Sequence, residues 1–128
     1  MKSVVLCGSR RFKSEMFAFR DKLRDMGITV YSPYLHSGQE EWTSLSEDYQ
    51  KFIALGLTHD HVYKIKMADA VFIFNKDGYA GVSTTMEVGC ALALGKPIYA
   101  LEEDDELCRN VLYREIINTP EELVKRLG

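Results

Sequence analysis

One carboxylate, Glu87, follows three hydroxyl residues, Ser83, Thr84 and Thr85, in the stretch GYAGVSTTMEVGCALALGKP over residues 78–97. The apolar run 70–75 before it reads as a buried strand. The alanine-rich run after it reads as a helix stopped by Gly95, with Glu87 in its first turn. A turn from strand into helix presents unpaired backbone amides, so it is a natural seat for an anion or a sugar. A carboxylate facing that turn can attack an anomeric carbon, while amides and hydroxyls hold the sugar or its phosphate. Gly81, Ser83 and Thr84 are the candidates for that holding role. A blander reading uses the same residues: Thr84-Thr85-Met86-Glu87 fits a capping box, in which Glu87 only starts a helix.

A second chemically suggestive loop, Gly8-Ser9-Arg10-Arg11, follows the apolar run 3–7. Glycine admits close approach of an anion, serine donates a hydrogen bond, and arginine makes charge-assisted bonds to phosphate. It is neither a P-loop nor GxGxxG, and a tight turn with two solvated arginines is the alternative. The third cluster is His59-Asp60-His61. Two histidines two apart on a helix lie on different faces and suit joint metal binding poorly. Asp60 or His61 is instead a candidate proton donor to a leaving base, or else these are surface residues. Phe12, Tyr31, Tyr34 and Tyr79 stand near strand ends, where an aromatic ring could stack on a base or simply belong to the core or its rim.

The elements that must position these groups alternate. Strands are expected over residues 3–7, 28–32, 70–75, 98–101 and 115–118. Between them, helices are expected over 15–26, over 46–57 with a break at Gly56 and a second helix from Thr58, over the stretch bearing Glu87, and over 107–113. A last helix is announced by Thr119-Pro120-Glu121-Glu122, a capping box with proline at the first helical position. Residues 34–45 show no clean period and read as a long loop or lid. The acidic run 102–106 reads as a solvated turn opening a helix. The pattern is that of a doubly wound α/β fold of three layers, with a five-stranded parallel sheet in the order 2-1-3-4-5. In that order the first and third strands are neighbours, and both glycine-bearing loops leave their carboxyl ends to face one crevice.

Composition bounds the rest. The chain has 128 residues, 46% hydrophobic and 27% charged, as expected of one globular domain spanning 1–128. A formal net charge of −3 provides no basic footprint for duplex nucleic acid. No apolar run is long enough to span a bilayer and no charged-then-apolar leader precedes the first strand, so a reducing cytoplasmic location is expected. Cys7, Cys90 and Cys108 lack metal-ligand spacing. Cys7 and Cys90 lie in apolar elements and read as buried thiols. No metal or other cofactor is expected.

The pattern ADAVFIFNKDGYAGVSTTMEVGCALALGKP over residues 68–97 resembles the signature of the nucleoside 2-deoxyribosyltransferases. The opening VVLCGSRRF is similar to the deoxynucleoside 5′-monophosphate N-glycosidase branch of that family. The resemblance implies a flavodoxin-like, Rossmann-like sheet and cleavage or transfer at the N-glycosidic bond of a 2′-deoxynucleoside or its 5′-monophosphate. It makes Glu87 the nucleophile that forms a covalent deoxyribosyl intermediate, and assigns Gly8, Ser9 and Arg11 to the phosphate. It also implies a homodimer or larger homo-oligomer in which Arg109, Asn110 and Tyr113 of a neighbour complete the site. Three positions depart from the family pattern. His61 stands where the family has aspartate, Gly81 where it has aspartate or serine, and Val5 at the place matched to a tyrosine that holds the nucleophile. Two other readings share the fold: a nucleotide-sensing module without turnover, and a ribonucleotide phosphoribohydrolase. The PGGxGTxxE loop of the latter is missing here.

Overall fold

A computed structural model describes residues 2–35 and 39–128. Among them, five strands form one parallel sheet in the order β2-β1-β3-β4-β5. The strands are β1 Ser3–Gly8, β2 Thr29–Tyr31, β3 Ala70–Phe74, β4 Ile98–Ala100 and β5 Glu115–Ile116. The helices are α1 Lys13–Asp25, α2 Gln39–Ser44, α3 Glu47–Met67, α4 Val82–Ala93, α5 Leu107–Asn110 and α6 Pro120–Leu127. The expected fold and strand order are therefore observed.

Strand parity divides the core in two, because successive side chains in a strand point to opposite faces. Val4, Leu6, Phe72 and Phe74 pack with Met16, Phe19 and Leu23 of α1 and Leu123 and Leu127 of α6. Val5, Cys7, Val71 and Ile73 pack with Ile65 of α3 and Val88 and Ala91 of α4. β1 and β3 are buried on both faces, which is why each reads as an unbroken apolar run. Burying a side chain such as Phe72 contributes about 1.5–3 kcal/mol.

Several local expectations change. Gly56 does not break the second helical stretch: α3 runs unbroken for 21 residues, capped by Ser46, whose hydroxyl accepts from the Tyr49 amide. One glycine costs a helix only about 1 kcal/mol, which a long helix tolerates. The first helix begins at Lys13, two residues before the expected start, after a 3-10 turn, Arg10–Phe12, capped by Ser9. The segment read as a loop contains the two-turn helix α2, and residues 36–38 of it lie outside the described residues. Thr119 caps α6 as expected, its hydroxyl accepting from the Glu122 amide, while the Glu122 carboxylate pairs with Lys125. Gly95, at φ +71°, ends the helix bearing Glu87 as expected, with the Lys96 amide donating back to the Ala91 carbonyl.

The acidic run is not simply solvated. The Asp104 side chain is fully buried and takes a two-nitrogen grip from Arg109 together with the Tyr113 hydroxyl at 2.5 Å. Burial alone would raise the Asp104 carboxyl, but these hydrogen bonds outweigh it and hold the group below its usual range. Asn75, fully buried at the end of β3, accepts from the Leu101 and Glu102 amides and donates to the Glu102 carbonyl. The loop after β4 is thus tied to the loop after β3. No helix among the described residues is long and apolar enough to cross a membrane.

Candidate active site

β1 and β3 end side by side, with Cys7 registered on Ile73 and Gly8 on Phe74. A Cβ on Gly8 would lie 3.1 Å from both the Met16 sulfur and the Phe74 carbonyl, so any larger residue there would make its neighbours shift by a few tenths of an ångström. Ser9 accepts from the Arg11 amide and tightens the turn. From the end of β3 the chain passes through Gly78, at φ +76°, to Gly81, which opens α4. No side chain caps α4, so its first amides keep their capacity for a ligand.

Between the two loops lies a cavity of about 590 Å³. Its polar side is formed by Gly8, Ser9, Arg10, Gly81, Ser83 and Thr84, and Glu87 and His61 reach it from the helices. Pro33, Tyr34, Leu35, Leu57 and Val62 provide an apolar side. The volume suits a nucleoside-sized ligand.

Glu87 does not return to a cap. α4 starts at Val82, earlier than the capping-box reading needs, which moves Glu87 into the second turn and Thr84 inside the helix. The Glu87 carboxylate lies 3.6 Å from His61 Nε2, with its side chain 19% exposed. Cys7 Sγ lies 3.2 Å from the same nitrogen. The donor atoms of Cys7, His61 and Glu87 all fall within 4.8 Å of one another. Burial pushes the Glu87 carboxyl up to about 7, partly offset by a hydrogen bond from Cys7. Burial and the charge of Lys64 push His61 down to about 4, against the pull of Asp60. Burial and the neighbouring Glu87 push the Cys7 thiol well up. Each group is driven toward its neutral form, so the His61–Glu87 contact at neutral pH is not a fixed ion pair.

Other expected residues are placed elsewhere. Asp60 is exposed and paired with Lys64 at 2.7 Å, outside the cavity lining. The Arg11 guanidinium lies over the Tyr79 ring, 3.8 Å from its centroid, and leaves Arg10 as the arginine at the cavity. Phe12 is core and touches Tyr79 edge-on. Of the four aromatics considered, Tyr34 lines the cavity. Val5, matched to the family tyrosine, is wholly buried, and Cys7 is the β1 residue beside Glu87. Arg109, Asn110 and Tyr113 are engaged within their own chain, at Asp104 and, for Arg109, also at Thr85. Cys7 was missed as a site residue because an apolar strand residue looks like core. Its parity, shared with Ile73 on the face that α4 covers, joined to its place near the carboxyl end of β1, was the available signal.

The sequence profile of nucleoside 2-deoxyribosyltransferase matches residues 5–119. This chain belongs to the nucleoside 2-deoxyribosyltransferase family. The match takes in both loops and the three clustered side chains. Solved structures share the family fold. One is the 2-deoxyribosyltransferase of Bacillus psychrosaccharolyticus, at 21% identity and TM-score 0.70, covering 94% of this chain and 89% of that one. A conserved protein of Enterococcus faecalis V583 aligns at 17% identity and TM-score 0.65, over 99% and 97% of the two chains. The CMP N-glycosidase BcmB of Clostridium botulinum aligns at 23% identity and TM-score 0.53, over 98% of each. None of the curated proteins compared matches this deoxyribosyltransferase-family chain in sequence.

Proposed function

We propose that this protein cleaves the N-glycosidic bond of a 2′-deoxynucleoside 5′-monophosphate through a glycosyl ester on Glu87. The observation that carries the reading is the Glu87 carboxylate at the cavity, between the two loops and 3.6 Å from His61 Nε2. A Glu87 oxygen attacks the anomeric carbon as the bond to the base nitrogen breaks. The one proton shared by Glu87 and His61 moves to His61 Nε2 as the carboxylate attacks and passes from there to the base, in the role the family gives to an aspartate. Water then attacks the ester and frees the sugar phosphate, while a second base in place of water gives transfer. Ser9 and Arg10 take the phosphate, the uncapped start of α4 takes sugar hydroxyls, and Tyr34 and Leu57 flank the base. A phosphate subsite favours the monophosphate over the free nucleoside, and hydrolysis over transfer.

Self-association belongs to the same reading. Phe52, Leu55 and Tyr63 of α3 and Val82 and Met86 of α4 are exposed apolar residues. Val82 and Met86 also line the cavity, so a neighbouring copy covering them would close it. Such a copy need not bring Arg109 or Tyr113, which serve Asp104 at home.

The decisive experiment incubates the protein with a panel of deoxynucleosides, ribonucleosides and their monophosphates, with and without an acceptor base, followed by chromatography of free bases. Base release that disappears in Glu87→Ala supports the mechanism, and undiminished release by that variant ends it. Tight nucleotide binding without any base release would instead identify a sensing module.

A further inference from the structure

Cys7, fully buried, meets His61 and Glu87 behind the cavity wall, and the three side chains form a donor set of a kind that borderline-soft cations favour. They offer a thiol sulfur, an imidazole nitrogen and a carboxylate oxygen, from β1, α3 and α4 respectively. A tetrahedral zinc ion with ordinary bond lengths spaces such donors by roughly 3.4–3.6 Å. Here Cys7 Sγ is 3.2 Å from His61 Nε2, and His61 Nε2 is 3.6 Å from the nearer Glu87 oxygen. Cys7 Sγ and the Glu87 oxygen lie within 4.8 Å of one another, so binding requires side-chain rotations that close that pair by at most about 1.2 Å. His61 and Glu87 also line the cavity, so a fourth position opens toward water or ligand. The spacing of cysteines along the sequence offered no metal site, because these donors meet only through the fold.

We propose that Cys7, His61 and Glu87 bind a Zn²⁺-class divalent cation, and that this cation competes with substrate by occupying the Glu87 carboxylate. Binding forms a sulfur–metal bond and releases the thiol proton to solvent; any proton on Glu87 leaves as well. The site is a reversible inhibitory one rather than the seat of a resident cofactor. A metal on Nε2 leaves the ring proton on Nδ1, which is buried and has no hydrogen-bond partner among the described residues. Metal-bound histidines ordinarily give that proton to an acceptor, and loss of such a partner weakens binding by about 10–100-fold. The carboxylate that makes the metal site is also the nucleophile of the proposed reaction, so one ligand excludes the other.

The competitive part of this inference rests on the proposed function, whereas the metal site itself does not. Its test is therefore spectroscopic and needs no turnover. The metal-free protein is titrated with Co²⁺ and watched for the near-ultraviolet band of a cobalt–thiolate bond, then back-titrated with Zn²⁺. The expected result is a band saturating at one equivalent, bleached by Zn²⁺, absent in Cys7→Ser and at least about 10-fold harder to saturate in His61→Gln. Circular dichroism of each variant certifies folding, and His61→Gln carries the test if Cys7→Ser does not fold. Absence of the band in the wild-type protein, or an unchanged titration in the folded variants, overturns the site. If base release is established, Zn²⁺ is expected to raise the apparent KM with kcat unchanged, and chelator to reverse it. A fall in kcat at constant KM overturns the competition.

Discussion

Cys7 Sγ sits 3.2 Å from His61 Nε2, and both face the Glu87 carboxylate. A buried strand thiol thus backs a helix imidazole and a carboxylate that both line one cavity. The thiol hydrogen bond is the interaction that lowers the Glu87 carboxyl against the upward push of burial.

In chelator-treated buffer, kcat/KM for base release should therefore be bell-shaped, rising with pH through about 4 and falling on an alkaline limb near 7, where the Glu87–His61 pair loses the one proton that His61 must pass to the base. Cys7→Ala removes the hydrogen bond and should move that limb to higher pH, while Cys7→Ser should restore part of the shift. A limb that stays in place in Cys7→Ala would remove the thiol from any role in tuning the carboxylate.

The same two titrations oppose each other in stability. Glu87 is raised from 4.5 to about 7 on folding, so its contribution is fully present below 4.5 and lost as pH rises to about 7. His61 is lowered from 6.5 to about 4, so its contribution is present above 6.5 and lost as pH falls to about 4. Each amounts to about 3 kcal/mol, and across the shared window they offset. Urea denaturation of Glu87→Gln should show stability rising with pH between 4.5 and 6.5, and His61→Gln should show it falling. Parallel profiles for the two variants would contradict this account.

At Glu87 itself, alanine should lower base release by about 10⁴-fold or more while the far-ultraviolet circular dichroism is unchanged. Rapid quenching of the wild-type reaction, followed by mass spectrometry of the intact protein, should find the glycosyl adduct on the peptide containing residue 87.

The two arginines of the first loop should separate. Arg10→Ala should raise KM for a 5′-monophosphate by roughly 10–100-fold, the cost of losing a charged hydrogen bond, without affecting a free nucleoside. Arg11→Ala breaks the stack on Tyr79 and should leave the monophosphate preference intact. Equal losses in both variants would return Arg11 to the phosphate.

Away from the cavity, Arg109→Ala should be among the more damaging changes. It leaves the fully buried Asp104 with an uncompensated charge, at a cost of about 3–5 kcal/mol measured by urea denaturation. Tyr113→Phe removes one hydrogen bond from the same carboxylate and should cost less, about 1.5–3 kcal/mol.

The fold was legible because its signals are local. β1 and β3 are continuous apolar runs, and the glycines at 27, 78 and 95 adopt the positive φ that ends or turns an element. Glu87 and the glycine-bearing loops were legible because strand-to-helix turns in this topology converge on one crevice. The rest was hidden in relations between distant residues. Gly81, not Thr84, begins α4, so the capping-box pattern was accidental. Cys7 could not be told from Val5 by residue type or by parity, since both face the same helices; its place near the carboxyl end of β1 is what sets it beside Glu87. Asp104 was lost among acidic neighbours because its cation lies five residues on, across a loop rather than along a helix.

The register of β1 on β3 has a further consequence. Cys7 opposes Ile73 and shares its face, whereas Leu6 and Gly8 belong to the opposite parity. One residue inserted or deleted before Cys7, with the pairing slipped to match, would present Leu6 or Gly8 to Glu87 and turn the thiol toward α1. A change of length in the loops around this cavity does not alter which face a strand residue presents. The strand behind it tolerates changes of length only in steps of two, so its parity is a reading frame for the chemistry.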